Sequence, residues 1–400
     1  MKIALVGTRG VPAAYSGFET AVENIGCRLA GRGHDVTVYC RPHMVERRAD
    51  GEYRGMHLVY LPTVADKHLD TPVHSLLSTL HLATLRRPDV AIYFIAGNSP
   101  FAGLGRLSGI PTAINVDGLD SPRAKWGPWA RRYLRLTERA APMLANVAIT
   151  DSRVLQSIYR AWGHETVYIP YGSELEEDMA PAGDGSDPAA GGAPEGDRHR
   201  DGEGALARLG LAPRGYVLFV GRLVPENNAH VLVEAFARLK TDLRLAVVGD
   251  APYAGAYQAR LRAGGDDRVV FAGYQFGRAY RDLLRNAAVI VVPTEVGGTH
   301  PVLLESMAAG ACIVVNDHAP NLETLGEAGV SYRGDEGAAS LRSVLERLLA
   351  DPEAIEGHRA AAARRARTYS WEAVTDAYEK LAVGLAAGAQ GARMNSVAGR

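Results

Sequence analysis

Four stretches of the chain hold residue types that meet phosphates, hydroxyls and charged surfaces. In VIVVPTEVGGTHPVLLESMAAG, residues 289–310, an apolar run closes at Pro293, and Gly297 and Gly298 open a loop. Pro301 sits where a helix would begin, and Gly310 where it would end. A helix start behind a glycine turn presents backbone N–H groups to an anion. The backbone N–H groups of Gly298, Thr299, His300 and Leu303 are therefore candidate phosphate donors, Pro301 having none. Glu305 falls in the second turn between Leu304 and Ser306. A carboxylate beside apolar neighbours needs a partner, and a sugar diol would serve; an ordinary solvent-facing Glu is the plainer alternative. In VGRLVPENN, residues 220–228, Gly221 and Arg222 follow another apolar run. A guanidinium there could clamp a diphosphate in bidentate fashion, or simply pair with Glu226.

The third stretch is GTRGVPAAYSGFE, residues 7–19, between the first expected strand and helix. Gly7, Gly10 and Gly17 do not match the dinucleotide spacing G-x-G-x-x-G, and Arg9 could meet a phosphate. The second strand ends in Arg41 rather than an acidic residue, which disfavours NAD and leaves NADP open. The fourth is NVDGLDSPRAKWGPWARRYLRLTERA, residues 115–140. Asp117 and Asp120 follow a strand end. Arg123, Lys125, Arg131, Arg132, Arg135 and Arg139 come next, with Trp126, Trp129 and Tyr133 interleaved. Arg131, Arg135 and Arg139 share one helical face, which suits an anionic membrane surface or a lipid pyrophosphate; a solvated charged face is the alternative. Lys67 and His74, with Asn98, are further candidates for an acceptor pocket.

These positions need strands that end where the loops begin. Short apolar runs predict strands at 2–6, 35–40, 56–61, 90–95, 112–116 and 147–150, with helices between them, including 76–85. The alternation restarts with strands at 216–220, 243–248, 269–273, 289–292 and 312–316, and helices at 228–239, 256–263 and 278–286. Two βα-alternating halves predict an α/β protein of two Rossmann-like, doubly wound domains facing a central cleft. The expected division is 1–173, a Gly/Pro/acidic linker or insertion at 174–204, a second domain at 205–368, a helix at 369–386 and a disordered tail at 387–400.

The bulk numbers narrow the function classes. The chain has 400 residues, 47% hydrophobic and 7% aromatic, enough for sizeable cores. A net charge of -1 excludes a global field for nucleic acid. Cys27, Cys40 and Cys312 lack metal-ligand spacing, and no other cluster suggests a metal. The opening MKIALVG suits a strand better than a signal-peptide core, and no run reaches the ~20 apolar residues of a membrane span. A cytoplasmic chain, peripheral on the inner face of the plasma membrane through its basic face, is the expectation.

With these residues in view, the chain resembles the retaining glycosyltransferases of family 4, which have the two-domain GT-B fold. More narrowly it is similar to the bacterial rhamnosyltransferase-type subgroup of surface polysaccharide assembly. GTRGVPAAYSGFET, NVDGLDSPRAKW, GRLVPENN and VGGTHPVLLESMAAG carry the likeness. The resemblance implies a nucleoside-diphosphate sugar as donor, a saccharide or polyprenyl-linked saccharide as acceptor, and no metal or other cofactor. It places Gly7, Arg9, Gly10 and Gly17 near the donor phosphates and reacting sugar, and Asp117 at the transferred sugar. It places Arg222 at the phosphates, Tyr274 at the nucleobase, Thr299, His300 and Pro301 at the diphosphate, and Glu305 at the ribose. Asn227 stands where the broad family has Lys, Gly297 where it has a first Glu, and His300 where the subgroup has Asn. A helix from Ser370 is expected to pack back on the first domain. Sugar-nucleotide 2-epimerase, NADP-dependent oxidoreductase and non-catalytic sugar-nucleotide binder remain the alternatives.

Overall fold

The computed structural model describes residues 1–13, 17–66, 69–121, 126–173, 204–251 and 254–398. Lys67, Arg123, Lys125 and the expected linker, apart from Gly204, lie outside those residues. The chain divides into two compact units, Met1–Gly172 with Trp371–Arg400, and Ser173–Ser370.

The first unit is built on β1 (Lys2–Val6), α1 (Gly17–Gly31), β2 (Asp35–Cys40), β3 (Glu52–Tyr53), β4 (Met56–Tyr60), α2 (Asp70–His81), β5 (Val90–Phe94), α3 (Ser99–Leu107), β6 (Thr112–Val116), α4 (Pro128–Leu144), β7 (Val147–Thr150), α5 (Arg153–Ala161) and β8 (Val167–Tyr168). Its sheet has the order β3-β4-β2-β1-β5-β6-β7-β8. Only the β3–β4 hairpin is antiparallel. The short, apolar, β-branched runs of β1, β5 and β6 are covered on both faces, as parallel strands must be.

The second unit holds α6 (Ala205–Arg208), β9 (Tyr216–Val220), α7 (Ala229–Ala237), β10 (Arg244–Val248), α8 (Gly255–Gly264), β11 (Val269–Gly273), α9 (Gly277–Asn286), β12 (Val289–Val292), α10 (Pro301–Ala308), β13 (Ile313–Asn316), α11 (Ala319–Leu325), β14 (Val330–Tyr332), α12 (Gly337–Leu349) and α13 (Pro352–Ala366). Its parallel sheet runs β11-β10-β9-β12-β13-β14. Val217, Phe219, Leu245, Val247, Val289, Val291 and Val314 pack on Phe236, Leu232 and Leu345 in one core. Burial of each such side chain contributes about 1.5–3 kcal/mol.

The last helix, α14 (Trp371–Ala398), belongs to the first unit. It runs through most of the segment that composition assigned to a disordered tail. Its Ala-rich end keeps high helix propensity without an apolar stripe, which a periodicity search overlooks. Trp371, Val374, Tyr378 and Ala382 are buried. Arg32 pairs with Glu372, Asp376 and Glu379, and His34 meets Glu379 at 2.7 Å. Packing carries more of this docking than those pairs, because Glu372 and Asp376 are largely exposed.

Candidate functional site

In an open α/β sheet, ligands gather at the carboxyl ends of the strands where the order reverses. In the second unit that point lies between β9 and β12, which pair through Val217 and Val289. The Arg222 loop leaves β9, and the Thr294–His300 loop leaves β12. Asn228, at φ 53°, donates its amide to the Pro293 carbonyl at 3.2 Å and ties the two loops together. Arg222 is exposed, and its guanidinium makes no ion pair among the described residues. The alternative pairing with Glu226 is therefore not formed. Asn227 donates one of its amide hydrogens to the Arg222 carbonyl at 2.8 Å and so helps to shape the loop. Gly221 donates to the Val248 carbonyl at 3.0 Å, and Gly249 crowds it from β10.

Across the switch point, Gly297 takes φ 119°, which only glycine adopts without strain. Gly298 and Thr299 are buried, and His300 precedes α10 with Pro301 as its first helical residue. One expected phosphate donor is corrected here: Leu303 N–H already bonds the His300 carbonyl at 3.0 Å, closing the first turn. Glu305 is half-buried, and the Tyr280 hydroxyl of α9 donates to its Oε2. Burial first, and the Glu305 charge second, hold the Tyr280 phenol protonated well above its usual range. Tyr280 escaped the sequence reading because nothing in a single α9 residue signals a partner one strand away. Tyr274 is exposed beyond β11, donates to the Asp250 carbonyl at 3.2 Å, and stacks on Phe276 with centroids 5.9 Å apart.

The first unit has its own switch point between β1 and β5. There Gly7 and Gly10 take φ 103° and 115°. A Cβ on Gly7 would lie 2.5 Å from Asn98 Nδ2, and one on Gly10 would lie 2.6 Å from Cys40 Sγ. Both glycines thus answer first to the protein's own packing. Gly17 opens α1. The loop is pinned from α1: Glu19 accepts the Arg9 N–H at 3.1 Å, and Glu23 accepts the Ala13 N–H at 2.7 Å. Burial raises the Glu19 carboxyl despite that bond.

Several acceptor-pocket expectations are corrected by burial. Asn98 is fully buried and donates to the Phe94 carbonyl at 2.7 Å, bracing the turn into α3. His74 is fully buried with Nε2 3.1 Å from the Cys40 carbonyl, and burial lowers its pKa to about 4, so it is neutral at pH 7. Arg41 is buried and bonds Asp70 at 2.7 Å, which removes the guanidinium that the NADP alternative needed.

Asp117 and Asp120 follow β6 in a loop held by Glu138 of α4. That buried carboxylate accepts the Ser121 N–H at 2.8 Å and the Ser121 hydroxyl at 2.7 Å. Asp117 is half-buried beside the Tyr171 hydroxyl, whose proton is held by burial first and then by the Asp117 and Asp151 charges. On α4 the exposed face differs from the expected one. Arg131 and Trp126 are half-buried, while Trp129, Leu136 and Met143 are 83%, 62% and 65% exposed beside exposed Arg132, Arg135 and Arg139. Arg139 also lies over the Trp162 ring at 5.3 Å. Among the described residues no three metal-ligating side chains cluster.

Residues 214–351 match the family described as "Glycosyl transferases group 1", and residues 16–172 the "Glycosyl transferase 4-like domain". The chain carries two glycosyltransferase-family domains. Among curated relatives, D-inositol 3-phosphate glycosyltransferase of Rhodococcus jostii (strain RHA1) is 30% identical over 202 residues, 45% of this chain and 43% of that protein. The lipopolysaccharide 1,2-N-acetylglucosaminetransferase of Salmonella typhimurium is 28% identical over 180 residues, covering 41% and 47% of the two chains. The Campylobacter jejuni N-acetylgalactosamine-N,N'-diacetylbacillosaminyl-diphospho-undecaprenol 4-alpha-N-acetylgalactosaminyltransferase is 29% identical over 118 residues, 29% and 32% of the chains. The chain thus spans less than half the length of these curated relatives. Anabaena Alr3699/HepE in complex with UDP superposes with a TM-score of 0.73 at 15% identity, covering 96% of this chain and 100% of that one. Sucrose-phosphate synthase from Thermosynechococcus elongatus gives 0.77 at 21% identity, covering 97% and 99%. The glycosyltransferase-family domains therefore have the GT-B fold, two parallel-sheet α/β units.

Proposed function

We propose that the protein is a glycosyltransferase that moves a sugar, rhamnose favoured, from a nucleoside-diphosphate donor to a saccharide or lipid-linked saccharide acceptor in surface polysaccharide assembly. The observation that carries this reading is that the loop bearing exposed Arg222 and the loop leading into α10 leave neighbouring strands at one switch point. When the nucleoside diphosphate leaves the anomeric carbon, negative charge grows on the β-phosphate oxygens. The backbone ahead of α10 is in place before that charge forms, and Arg222 can close on it from the neighbouring loop, so the two stabilise it without a metal. Tyr274 and Phe276 offer a ring face for the base, and Asp117 is the group assigned to the transferred sugar or the acceptor hydroxyl. Transfer with retention of anomeric configuration is part of the proposal. The Anabaena neighbour was also solved with UDP-glucose, and the Campylobacter relative is named for a diphospho-undecaprenol acceptor, which supports the two substrate classes.

Calorimetry with dTDP-rhamnose, UDP-glucose and GDP-mannose tests the donor. Tightest binding of dTDP-rhamnose is expected; binding of another member alone replaces the sugar, and binding of none overturns the donor site. Glu305→Gln should weaken donor binding about tenfold while leaving single-turnover chemistry of bound donor nearly unchanged, since a charge-assisted bond to a hydroxyl contributes about 1.5–3 kcal/mol. An unchanged Kd removes Glu305 from ribose binding.

The basic, aromatic face of α4 supports peripheral attachment to an anionic cytoplasmic leaflet. No helix among the described residues is long and apolar enough to cross a membrane. Flotation with phosphatidylglycerol vesicles should recover wild type and lose the triple variant Arg132→Ser, Arg135→Ser, Arg139→Ser, each charge near the surface contributing about 1 kcal/mol. Equal recovery of both proteins dismisses the membrane reading.

A further inference from the structure

His300 is an extended residue, φ −86° and ψ 120°, immediately before α10. Both of its ring nitrogens have partners. Nδ1 lies 2.8 Å from Asn321 Oδ1, and Nε2 lies 3.2 Å from the Val296 carbonyl oxygen. The carbonyl oxygen is an acceptor only. The Asn321 atom is also an acceptor, because the rest of its amide is fixed. Its Nδ2 donates to the Thr294 carbonyl at 3.0 Å and to Asn316 Oδ1 at 2.7 Å. Asn316 is oriented in turn: its Nδ2 donates to the Pro293 carbonyl at 2.8 Å, and its Oδ1 accepts the His318 N–H at 3.2 Å. Turning Asn321 over would set its oxygen against two oxygens. The buried amide chain therefore aims an oxygen at His300.

A neutral imidazole carries one N–H and one lone pair. Between two acceptors it would leave a lone pair facing an oxygen, which is costly in a half-buried loop. Only the doubly protonated ring satisfies both contacts. The positive end of the α10 dipole works against that charge. An anion in front of the helix would relieve the conflict, so protonation and anion binding reinforce each other.

We propose that His300 is held as an imidazolium and supplies a fixed positive charge that strengthens binding of the donor diphosphate at α10. The proposal rests on the α10 N-terminus being the diphosphate site. The titratable side chains on the elements around His300 are Glu295 in its loop, Glu305 on α10, and Asp317, His318 and Glu323 at α11. Glu305 receives the Tyr280 hydroxyl, and Asp317 accepts the Gly334 N–H at 2.9 Å.

The ring state is read directly by ¹⁵N-edited histidine spectra of the full chain, with His300 assigned by His300→Asn. The free protein at pH 7 should show both His300 nitrogens protonated; one unprotonated nitrogen overturns the proposal whatever the donor does. Binding is then measured from pH 6 to 9 with the tightest-bound of dTDP-rhamnose, UDP-glucose and GDP-mannose, whose diphosphate diesters do not titrate in that range. Wild type should bind about tenfold more tightly than His300→Asn at the acid end, and its Kd should rise to the variant's above the midpoint. By reciprocity a tenfold coupling moves the His300 midpoint up by about one pH unit on donor binding. Equal, pH-independent affinities overturn the coupling. Failure of wild type to bind any of the three overturns the donor site itself, while the free-protein spectrum still reports on the ring.

Discussion

Arg222→Ala should lower kcat/KM for sugar transfer by about 10²–10³-fold, the usual cost of removing one donor from a developing oxyanion. The side chain is exposed and makes no ion pair among the described residues, so its loss strands no buried charge and the melting temperature should hold within a degree or two. The loop backbone should also survive, because it is held by bonds the guanidinium does not make. Asn227 donates to the Arg222 carbonyl, and Asn228 donates to Pro293. Arg222→Lys should recover only part of the loss, because an ammonium replaces a planar fork by a point charge. The measurement is steady-state transfer with the preferred donor of the panel, alongside thermal unfolding. Near-wild-type turnover in the alanine variant removes Arg222 from the chemistry.

Gly249→Ala should be the most damaging small substitution in the second unit. Gly249 takes φ 124°, and a Cβ there would lie 2.0 Å from the Gly221 carbonyl oxygen and 2.9 Å from its carbonyl carbon. Neither atom is the end of a flexible side chain. The strain of a non-glycine residue at this φ, about 1–3 kcal/mol, adds to the cost of pushing two strand ends apart. The displaced atoms belong to the residue before Arg222, so donor binding should fall together with stability. The expected result is a urea midpoint clearly below wild type, a loss of about 3 kcal/mol or more, and a donor Kd raised at least tenfold. A variant with wild-type midpoint and wild-type affinity would show that the β9 and β10 ends are not held as described.

The same comparison of residues shows where a linear reading succeeds. The apolar runs at β9, β12 and β13 are buried strands within a residue of their expected ends, because a parallel strand covered on both faces must be apolar throughout. The loops after β9 and β12 follow from those ends and from Gly297 and Pro301. Side chains whose partners depend on the folded chain are harder to read. Asn98, His74 and Arg41 look like polar residues near a ligand, yet each is consumed by a backbone or carboxylate partner inside the first unit. Helical spacing grouped Arg131 with Arg135 and Arg139, but α4 turns Arg131 inward and brings Trp129, Leu136 and Met143 out. Spacing fixes which residues share a face. It does not say which face meets the sheet.

The chain by itself determined the alternation of strands and helices and the two glycine-bearing loops, and it offered Arg222 and Glu305 as candidates for a diphosphate and a diol. Those follow from local rules: periodicity, turn chemistry and charge. Tertiary structure decided the strand order that makes β9 and β12 neighbours, the bond that gives Glu305 its Tyr280 partner, and the amide chain from Pro293 through Asn316 and Asn321 to His300. Each of these joins residues from separate elements. Hydrogen-bond direction, and with it the charge state of a histidine, is set by partners that only folding brings within 3 Å or so.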